Sequence, residues 1–575
     1  MVKEVLVIFK THLDIGFCDL GQAVTDRYLT EFIPNAIKRG YELKDTDTPY
    51  LWTTGSWLIY EALKQDTDGK VEQAIRDGLI AWHGMPFTTF TECMNKELFL
   101  YGLSLSQELD RRFGKTTIAA KMSDVPGQTK AMIPYMARAG IEFLHLGVNP
   151  AYQLPPIPPL CRWQNGEDEI ILMMQSDYGN TMEFEDFVIT FGFTHDNKGP
   201  QSVEEIKQIY ADLRAKYPHA HVHAATLSDA AEKLRSIRHT LPVVTHEIGD
   251  LWIQNVGTDP KKVSVYRELL RSIEKEGVKS DLTDSLLLIP EHTWGGWEFM
   301  FPDFETYLFK DFKQVPKEKR ALYEQSWQEK RDYTTKACKA LGIEIPYRVD
   351  RPDVSRMQEI PLPPLDFEVS WQLFDNTDYA RFIKGYMKED MQAVEWVWQD
   401  NTKFGLPDYQ GGIYPAVPRK AYTDGEQPVI HLTFEQTVAQ EQGLPELYAV
   451  LQNNCIEIRW FGQQANRLPQ AYWFKWKGLE ESHWQIRKLG QWINADEVVY
   501  SPLLAATDFG VQNKQVQIES LDTSLVAPYG RKLLNVKASD DKQDLYFNLY
   551  NNIWGCNHPM WYDDDSRFRF VLHQR

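Results

Sequence analysis

Over residues 1–290, short apolar runs alternate with amphipathic stretches, and this alternation restricts the fold more than any other feature of the chain. Alternating strands and helices imply a parallel sheet or barrel. "VLVIF" (5–9) is apolar on both faces and reads as a buried parallel-type strand. "KELFLYGLSLSQELDRRFG" carries Leu98, Leu105 and Leu109 on one helical face and ends at Gly114, a plausible C-cap. "TIAAKMSD" reads as a strand, "MIPYMARAG" as a helix and "IEFLHLGV" as the next strand. "TDPKKVSVYRELLRSIEK" opens with Asp259 as N-cap and Pro260 at the first helical position, burying Val263, Tyr266, Leu270 and Ile273.

The pattern then changes twice. From about 304 to 342 the sequence is helical and highly charged, and "EKRALYEQSWQEKRDYTTKACKALG" reads as one long helix of a bundle. The proline-rich "IPLPPLDFEV" (360–369) reads as a linker. Beyond it, runs such as "PVIHLTF", "CIEIRWFG", "YWFKWKG" and "RFRFVL" indicate an all-β sandwich. A chain of 575 residues is too long for one core. The expected division is an α/β domain over 1–290, a helical segment over 291–359 and a β domain over 360–575. No internal repeat is visible.

The net charge of −19, with no long run of Lys and Arg, argues against nucleic acid as a partner. No apolar stretch reaches about 18 residues, so no membrane span is expected. "MVKEVLVIFK" lacks the features of a signal peptide. The cysteines (18, 93, 161, 338, 455 and 556) stand singly with no C-x-x-C pair, which fits a reducing cytoplasm. Aromatic residues make up 13% of the chain, enough both to fill β-rich cores and to line a carbohydrate site.

Chemistry concentrates at strand ends. His12 and Asp14 are two residues apart and, if the first strand runs on, share one side at its C-terminal tip. That is where α/β proteins hold their sites. Asp124 follows the "TIAAKMSD" strand in a Pro-Gly turn, and His292 follows the apolar run of "LLLIPEHTWGGWEF". Two histidines and two aspartates suit a divalent, zinc-like ion, and an aspartate beside such an ion stays ionised and can act as a nucleophile. Glu92 either hydrogen-bonds sugar hydroxyls or favours a helix start. Trp294 and Trp297 serve either as packing or as a sugar platform. "HAHVHAA" (219–225) has alternate histidines without acidic company and reads as structural. The loop around Trp554, Asn557, His558 and Trp561 either shapes specificity or is the last hairpin of the sandwich.

Taken in order, these segments resemble glycoside hydrolase family 38, the retaining, zinc-dependent α-mannosidases. "THLDIGF" resembles the family's opening H-x-D-x-G-W signature. "GLIAWHGMPFTTFTECMNKELFLYGLSLSQELDRRFG" is similar to its strand, acidic residue and long helix. "SDVPGQTKAMIPYMARAGIEF" resembles its nucleophile segment, and "FGFTHDNKGP" its glycine-rich acid/base loop. "LWIQNVGTDPKKVSVYREL" resembles its H-R-G-T loop and helix, and "IPEHTWGG" its N-Q-F-H-D segment. These segments span roughly residues 5–300. The chain is similar to a divergent bacterial branch of that superfamily known as a domain of unknown function.

The resemblance implies a (β/α)7-type barrel followed by a helical bundle and a C-terminal β-sandwich. It implies one divalent metal ion, most simply Zn2+, held by His12, Asp14, Asp124 and His292, with Asp124 also the nucleophile. The acid/base is Asp196 or His195, of which His195 aligns better with the family's aspartate. Phe17 stands where the signature has tryptophan, Gln128 where the family has histidine, and Asn255 where H-R-G-T has histidine. Phe17, Glu92, Asn255, Trp294, Trp554 and Trp561 are the expected substrate contacts. The expected partner is a carbohydrate, with a homo-oligomeric state left open. Two other readings stay open: a metal-dependent carbohydrate deacetylase, in which the ion activates water, and a catalytically silent carbohydrate-binding protein.

Overall fold

The computed structural model describes residues 1–575 apart from 278–282, 297–308, 346, 404, 480–482, 502–504, 535–544 and 556. Trp297, Cys556 and the start of the charged helical stretch lie outside the described residues. The chain divides into two compact units. The first comprises Met1–Phe90, Phe99–His246 and Glu291–Thr293, and the second Thr91–Leu98, Glu247–Pro290 and Trp294–Arg575.

In the first unit the strands are β1 (Glu4–Thr11), β2 (Trp52–Gly55), β3 (Ile80–His83), β4 (Ala119–Asp124), β5 (Phe143–Val148), β6 (Leu160–Asn165), β7 (Asp168–Ser176), β8 (Met182–Glu183), β9 (Phe187–Thr194), β10 (His221–Ala224) and β11 (Val243–Val244). They form two sheets. In one, the order is β3-β2-β1-β9-β8, with β10 also pairing with β1, and β1, β2, β3, β9 and β10 run parallel. In the other, the order is β11-β6-β7-β5-β4, with β4, β5 and β7 parallel. The alternation in the sequence, read as a parallel sheet or barrel, thus yields parallel pairing, and the ladders make two sheets. The backbone bond from Gly84 N–H to the Ala119 carbonyl (2.9 Å) links the end of β3 to the start of β4.

Side chains two apart on a strand share a face, and this sets up layers. Leu6 and Ile8 of β1, Ala119 of β4, Phe143 of β5, Ile171 and Met173 of β7 and Ile189 of β9 form one buried cluster with Ala230, Ala231 and Leu234 of the helix Leu227–Ile237. At about 1.5–3 kcal/mol for each large apolar side chain removed from water, this layer is a main source of the unit's stability. The next positions on those faces are polar: Lys10, Lys121, His145 and Gln175. One step further come His12, just past the β1 ladder, and the Ser123–Asp124 pair at the end of β4. The apolar floor therefore lets the strand ends carry buried polar groups.

The helices read from sequence are present at Lys96–Phe113, closed by Gly114 at φ 63°, and at Pro260–Glu276, where the Asp259 side chain accepts from Lys262 N–H. The long charged helix is Lys317–Leu341, ending on Gly342 at φ 65°. Glycine tolerates this left-handed conformation without a Cβ clash.

The β region of the second unit consists of two antiparallel sheets whose inward residues, among them Trp371, Phe474 and Phe547 from one and Ile430, Trp460 and Phe570 from the other, form one core cluster. The proline-rich linker read over 360–369 is corrected at both ends. Gln358–Ile360 pairs with Val417–Thr423, and Phe367–Leu373 is a central strand. The prolines at 361, 363 and 364 interrupt the ladder, while Phe367, Val369 and Trp371 alternate into the core. Among the described residues, no helix is long and apolar enough to cross a membrane.

Candidate metal centre

Strand β1 ends at Thr11, so His12 and Asp14 lie just past its ladder rather than within it. They still converge, because Asn197 clamps the backbone that carries them. Its side-chain amide donates to the carbonyls of Asp14 (3.1 Å) and Gly16 (3.3 Å), and its Oδ1 accepts from Asp14 N–H (3.1 Å). Tyr28 Oη donates to the His12 carbonyl at 3.0 Å. Asp124 closes β4 with φ 84°, a conformation that non-glycine residues adopt at a cost. Its carbonyl accepts from Asn149 N–H at 2.9 Å, which helps hold that turn. His292 is brought in by the bridge between Glu291 and Thr89 and by its own N–H to the Thr88 carbonyl.

Four side chains drawn from three separate stretches therefore meet. One ligand atom from each of His12, Asp14, Asp124 and His292 lies within 4.8 Å of all the others. His12 Nε2 is 3.2 Å from His292 Nε2, and Asp14 Oδ1 is 3.1 Å from the first and 3.0 Å from the second. Asp124 Oδ2 is 3.4 Å from His292 Nε2 and 3.9 Å from His12 Nε2. Zinc–nitrogen bonds of about 2.0–2.1 Å in a tetrahedron place ligands ~3.3 Å apart, close to these separations. Asp14 Oδ2 is buried without a hydrogen-bond partner, so the cluster is not a closed set of internal bonds. These residues fit a divalent cation, and the mixed nitrogen and oxygen donors suit zinc.

The outer contacts orient the donors. His12 Nδ1 lies 2.8 Å from Ser123 Oγ and His292 Nδ1 lies 2.8 Å from Glu291 Oε1, which turns each Nε2 toward the centre. Glu291 is fully buried and Thr293 Oγ1 donates to its Oε1 at 3.0 Å. Asp124 Oδ1 accepts from Asn149 Nδ2 (2.7 Å) and Tyr178 Oη (3.0 Å), leaving Oδ2 for the cluster. The Tyr178 ring stacks on His12 with centroids 5.0 Å apart.

The charges of the four groups are interdependent. Burial alone would lower His12, but Asp14 and then Asp124 outweigh it and raise the imidazole. Burial would likewise lower His292, yet Glu291, Asp124 and Asp14 hold it well above the ordinary value. Burial would raise Asp14, but His12 and then His292 keep its carboxyl well below the carboxylate range. Asp196 is pushed up to about 7, first by burial and then by Asp14. A carboxyl that holds its proton near neutrality suits a proton donor. The neighbouring His195 is exposed.

The first unit also holds Phe17, half-buried at φ 63° just after the His12–Asp14 segment. The other expected substrate contacts lie in the second unit, and there they are interior. Glu92 is fully buried, 2.9 Å from Lys488 Nζ, and accepts from the N–H groups of Asp250 and Ala506. Asn255 is buried in the turn Leu251–Thr258. Trp294 has Lys262 over its ring, Trp554 packs on Trp252 and Phe382, and Trp561 sits among Phe312, Tyr323 and Trp327. All three tryptophans are 5% exposed or less, so no broad ring face is open for a sugar to stack on. The alternate histidines of 219–225 do have acidic company, since His223 Nε2 is 3.0 Å from Glu4.

Lys488 also lies 2.8 Å from Glu247, making a buried carboxylate–ammonium–carboxylate set. Burial works against its charge, but Glu247 and then Glu92 hold it up at about 12. Lys488→Met leaves two carboxylates without their cation and is expected to destabilise the fold by about 3–5 kcal/mol, measured by denaturant unfolding. The same substitution combined with Glu92→Gln and Glu247→Gln should recover part of that loss.

Sequence reasoning passed over Ser123, Asn149, Tyr178, Asn197 and Glu291. Only Glu291, adjacent to a candidate ligand histidine, and Asn197, in an Asp-Asn-Lys-Gly turn, carry a local signal. Tyr178 and Asn149 have none, because their link to Asp124 is made across neighbouring strand ends.

An α/β unit with a buried two-histidine, two-aspartate centre at its strand ends is the class that fold and site define. Comparison with solved structures finds a similar fold in two other proteins. An α-mannosidase from Enterococcus faecalis V583 matches with a TM-score of 0.59 over 100% of this chain and 87% of its own, at 10% identity. A protein in glycosyl hydrolase family 38, also from Enterococcus faecalis, matches with a TM-score of 0.54 over 100% and 86%, at 9% identity. A family profile described as a domain of unknown function (DUF5054) matches residues 256–351. None of the curated proteins matches the chain.

Proposed function

We propose that the chain is a metal-dependent retaining α-glycosidase, similar to α-mannosidases, acting on an α-linked glycoside or oligosaccharide. The observation that carries this reading is the convergence of His12, Asp14, Asp124 and His292 with Asp196 beside them. In this proposal those four residues hold one zinc ion, and a bound divalent ion there would orient vicinal sugar hydroxyls and polarise them.

Asp124 attacks the anomeric carbon, the bond to the leaving oxygen breaks, and a glycosyl ester forms on the carboxylate. Tyr178 and Asn149 fix that carboxylate through Oδ1. Asp196 gives its proton to the leaving oxygen and then takes one from the water that cleaves the ester. Its elevated titration supports it over the exposed His195 for this role. The two sheets of the first unit, parallel except for the β6–β7 and β8–β9 pairs, are read as the opened halves of a (β/α)7-type barrel within residues 1–290, with a helical bundle over 291–359 and a β-sandwich over 360–575.

The test is to incubate zinc-loaded protein with fluorinated α-glycosyl fluorides, which accumulate the covalent intermediate, and to digest it for mass spectrometry. One glycosyl mass on the peptide containing Asp124, absent in Asp124→Asn, is the expected result. Hydrolysis of α-glycosides without an adduct would remove the retaining mechanism. Acetate release from acetylated sugars in place of glycoside hydrolysis would move the reading to a deacetylase.

A further inference from the structure

Strand β7 ends at Ser176, and the next three residues take a backbone rarely adopted in succession: Asp177 at φ 58°, Tyr178 at φ 62° and Gly179 at φ 143°. Two consecutive non-glycine residues in the left-handed region are unfavourable, and the surroundings must enforce them. The turn's own backbone bonds are long, with Tyr178 N–H at 3.4 Å from the Val148 carbonyl and Gly179 N–H at 3.3 Å from the Ser176 carbonyl. The neighbouring strands contribute more. A Cβ at Gly147 of β5 would lie 2.2 Å from the Tyr178 carbonyl oxygen and 2.6 Å from its Cα, so the turn packs where only glycine leaves room. From β4, Lys121 Nζ donates to that same carbonyl.

Lys121 is itself held in place. His145 Nδ1 of β5 is 2.7 Å from its Nζ, and His145 Nε2 is 2.9 Å from Gln175 Oε1 of β7. The same Gln175 oxygen accepts from Asn180 N–H at 3.2 Å, so it is an acceptor and His145 carries its proton on Nε2. Nδ1 then accepts from Lys121. These two bonds need two N–H groups, and the amine has them whether or not it is charged. Lys121, His145 and Gln175, all buried, thus make a chain across three adjacent strands that grips the turn on both sides of Gly179. Among the described residues none of the three bonds to the four metal-centre side chains, whereas Tyr178 Oη donates to Asp124 Oδ1 and its ring stacks on His12. We propose that Lys121, His145 and Gln175 are positioning residues that fix the Tyr178 turn and, through it, the direction of the Asp124 carboxylate. The consequence for turnover rests on the glycosidase reading; the hold on Tyr178 requires neither a sugar nor a metal.

The experiment places 3-fluorotyrosine at position 178 of the full, metal-free chain and follows its single fluorine resonance. Asp124→Ala removes the acceptor and sets the shift of a released hydroxyl. Lys121→Met should move the resonance toward that position, and Gln175→Leu should do the same. Gln175→Glu, which keeps the acceptor, should leave it in place. With zinc high enough to fill the centre, Lys121→Met should lower kcat by about 10–100-fold with little change in KM. Combined with Tyr178→Phe it should cost no more than the larger single effect, because both act through one side chain. If Lys121→Met fails to fold, Gln175→Leu carries the same test. An unmoved resonance in a folded variant, even one with a lowered melting temperature, would reduce the three residues to packing and overturn the proposal, as would additive losses in the double variant. A moved resonance in a chain that hydrolyses no glycoside would uphold the hold on Tyr178 and count against the glycosidase reading alone.

Discussion

His12→Ala is expected to bring bound metal from about one ion per chain to none, with glycosidase activity falling below detection. His12 supplies one of four donors, and its Nε2 lies within 3.2 Å of both Asp14 and His292, so no neighbouring side chain can take over its corner. Loss of an outer contact alone weakens a metal by about 10–100-fold, and loss of a direct donor exceeds that. The matching readout is stability. Zinc at 1,000 times its Kd stabilises the wild type by about 4 kcal/mol, and the variant should show no such gain. His221→Ala, at an exposed histidine of β10, should behave as wild type. Elemental analysis and melting curves with and without zinc check both points. Unchanged metal content in His12→Ala would rule out this centre.

Metal affinity should rise steeply with pH. In the metal-free chain both His12 and His292 titrate above their ordinary value, so a cation competes with their protons to a higher pH than it would at free imidazoles. Each proton released adds up to about 10-fold per pH unit to the apparent affinity, which levels off once the imidazoles have lost their protons.

The stability of the metal-free chain runs the other way. Raised histidines contribute stability that is fully present below about 6.5, their unfolded value, and is lost as pH rises through the folded values. The depressed Asp14 contributes stability present above about 3.9 and lost as pH falls. Asp196, held at about 7, adds a penalty that grows as pH rises from its unfolded value toward 7. The metal-free protein should therefore be most stable between about pH 4 and 6.5, and the gain in melting temperature on adding zinc should widen above that window. Zinc titrations at a series of pH values, with melting curves beside them, measure both slopes. A flat affinity profile would mean that the histidines are already neutral.

Much of the secondary structure was legible because it is local. Asp259 before Pro260 and Gly342 after Leu341 mark helix ends within a few residues, and β1 declares itself in five adjacent apolar side chains. The donors of the metal centre could likewise be named, since His-x-Asp at a strand end and Asp before Pro-Gly are visible in short windows. Their joining came from resemblance to a family, because no local pattern connects residue 12 with residue 292. The substrate contacts were less legible. An aromatic residue looks the same in sequence whether it fills a core or faces a ligand, and Trp294, Trp554 and Trp561 proved to be packed. The linker at 360–369 misled for a related reason: proline content describes the break but not the strands on either side of it.

The sequence by itself determined the order of elements, the parallel character of the first unit and the chemical identity of the candidate ligands. Periodicity, caps and residue type act over neighbouring positions and leave a trace there. The tertiary structure alone decided that the four ligand atoms meet and that Asn149 and Tyr178 hold Asp124. Those outcomes depend on register between strands and on where chain crossovers return. Such relations join residues from 25 to 280 positions apart, and only the packed chain brings them within bonding distance.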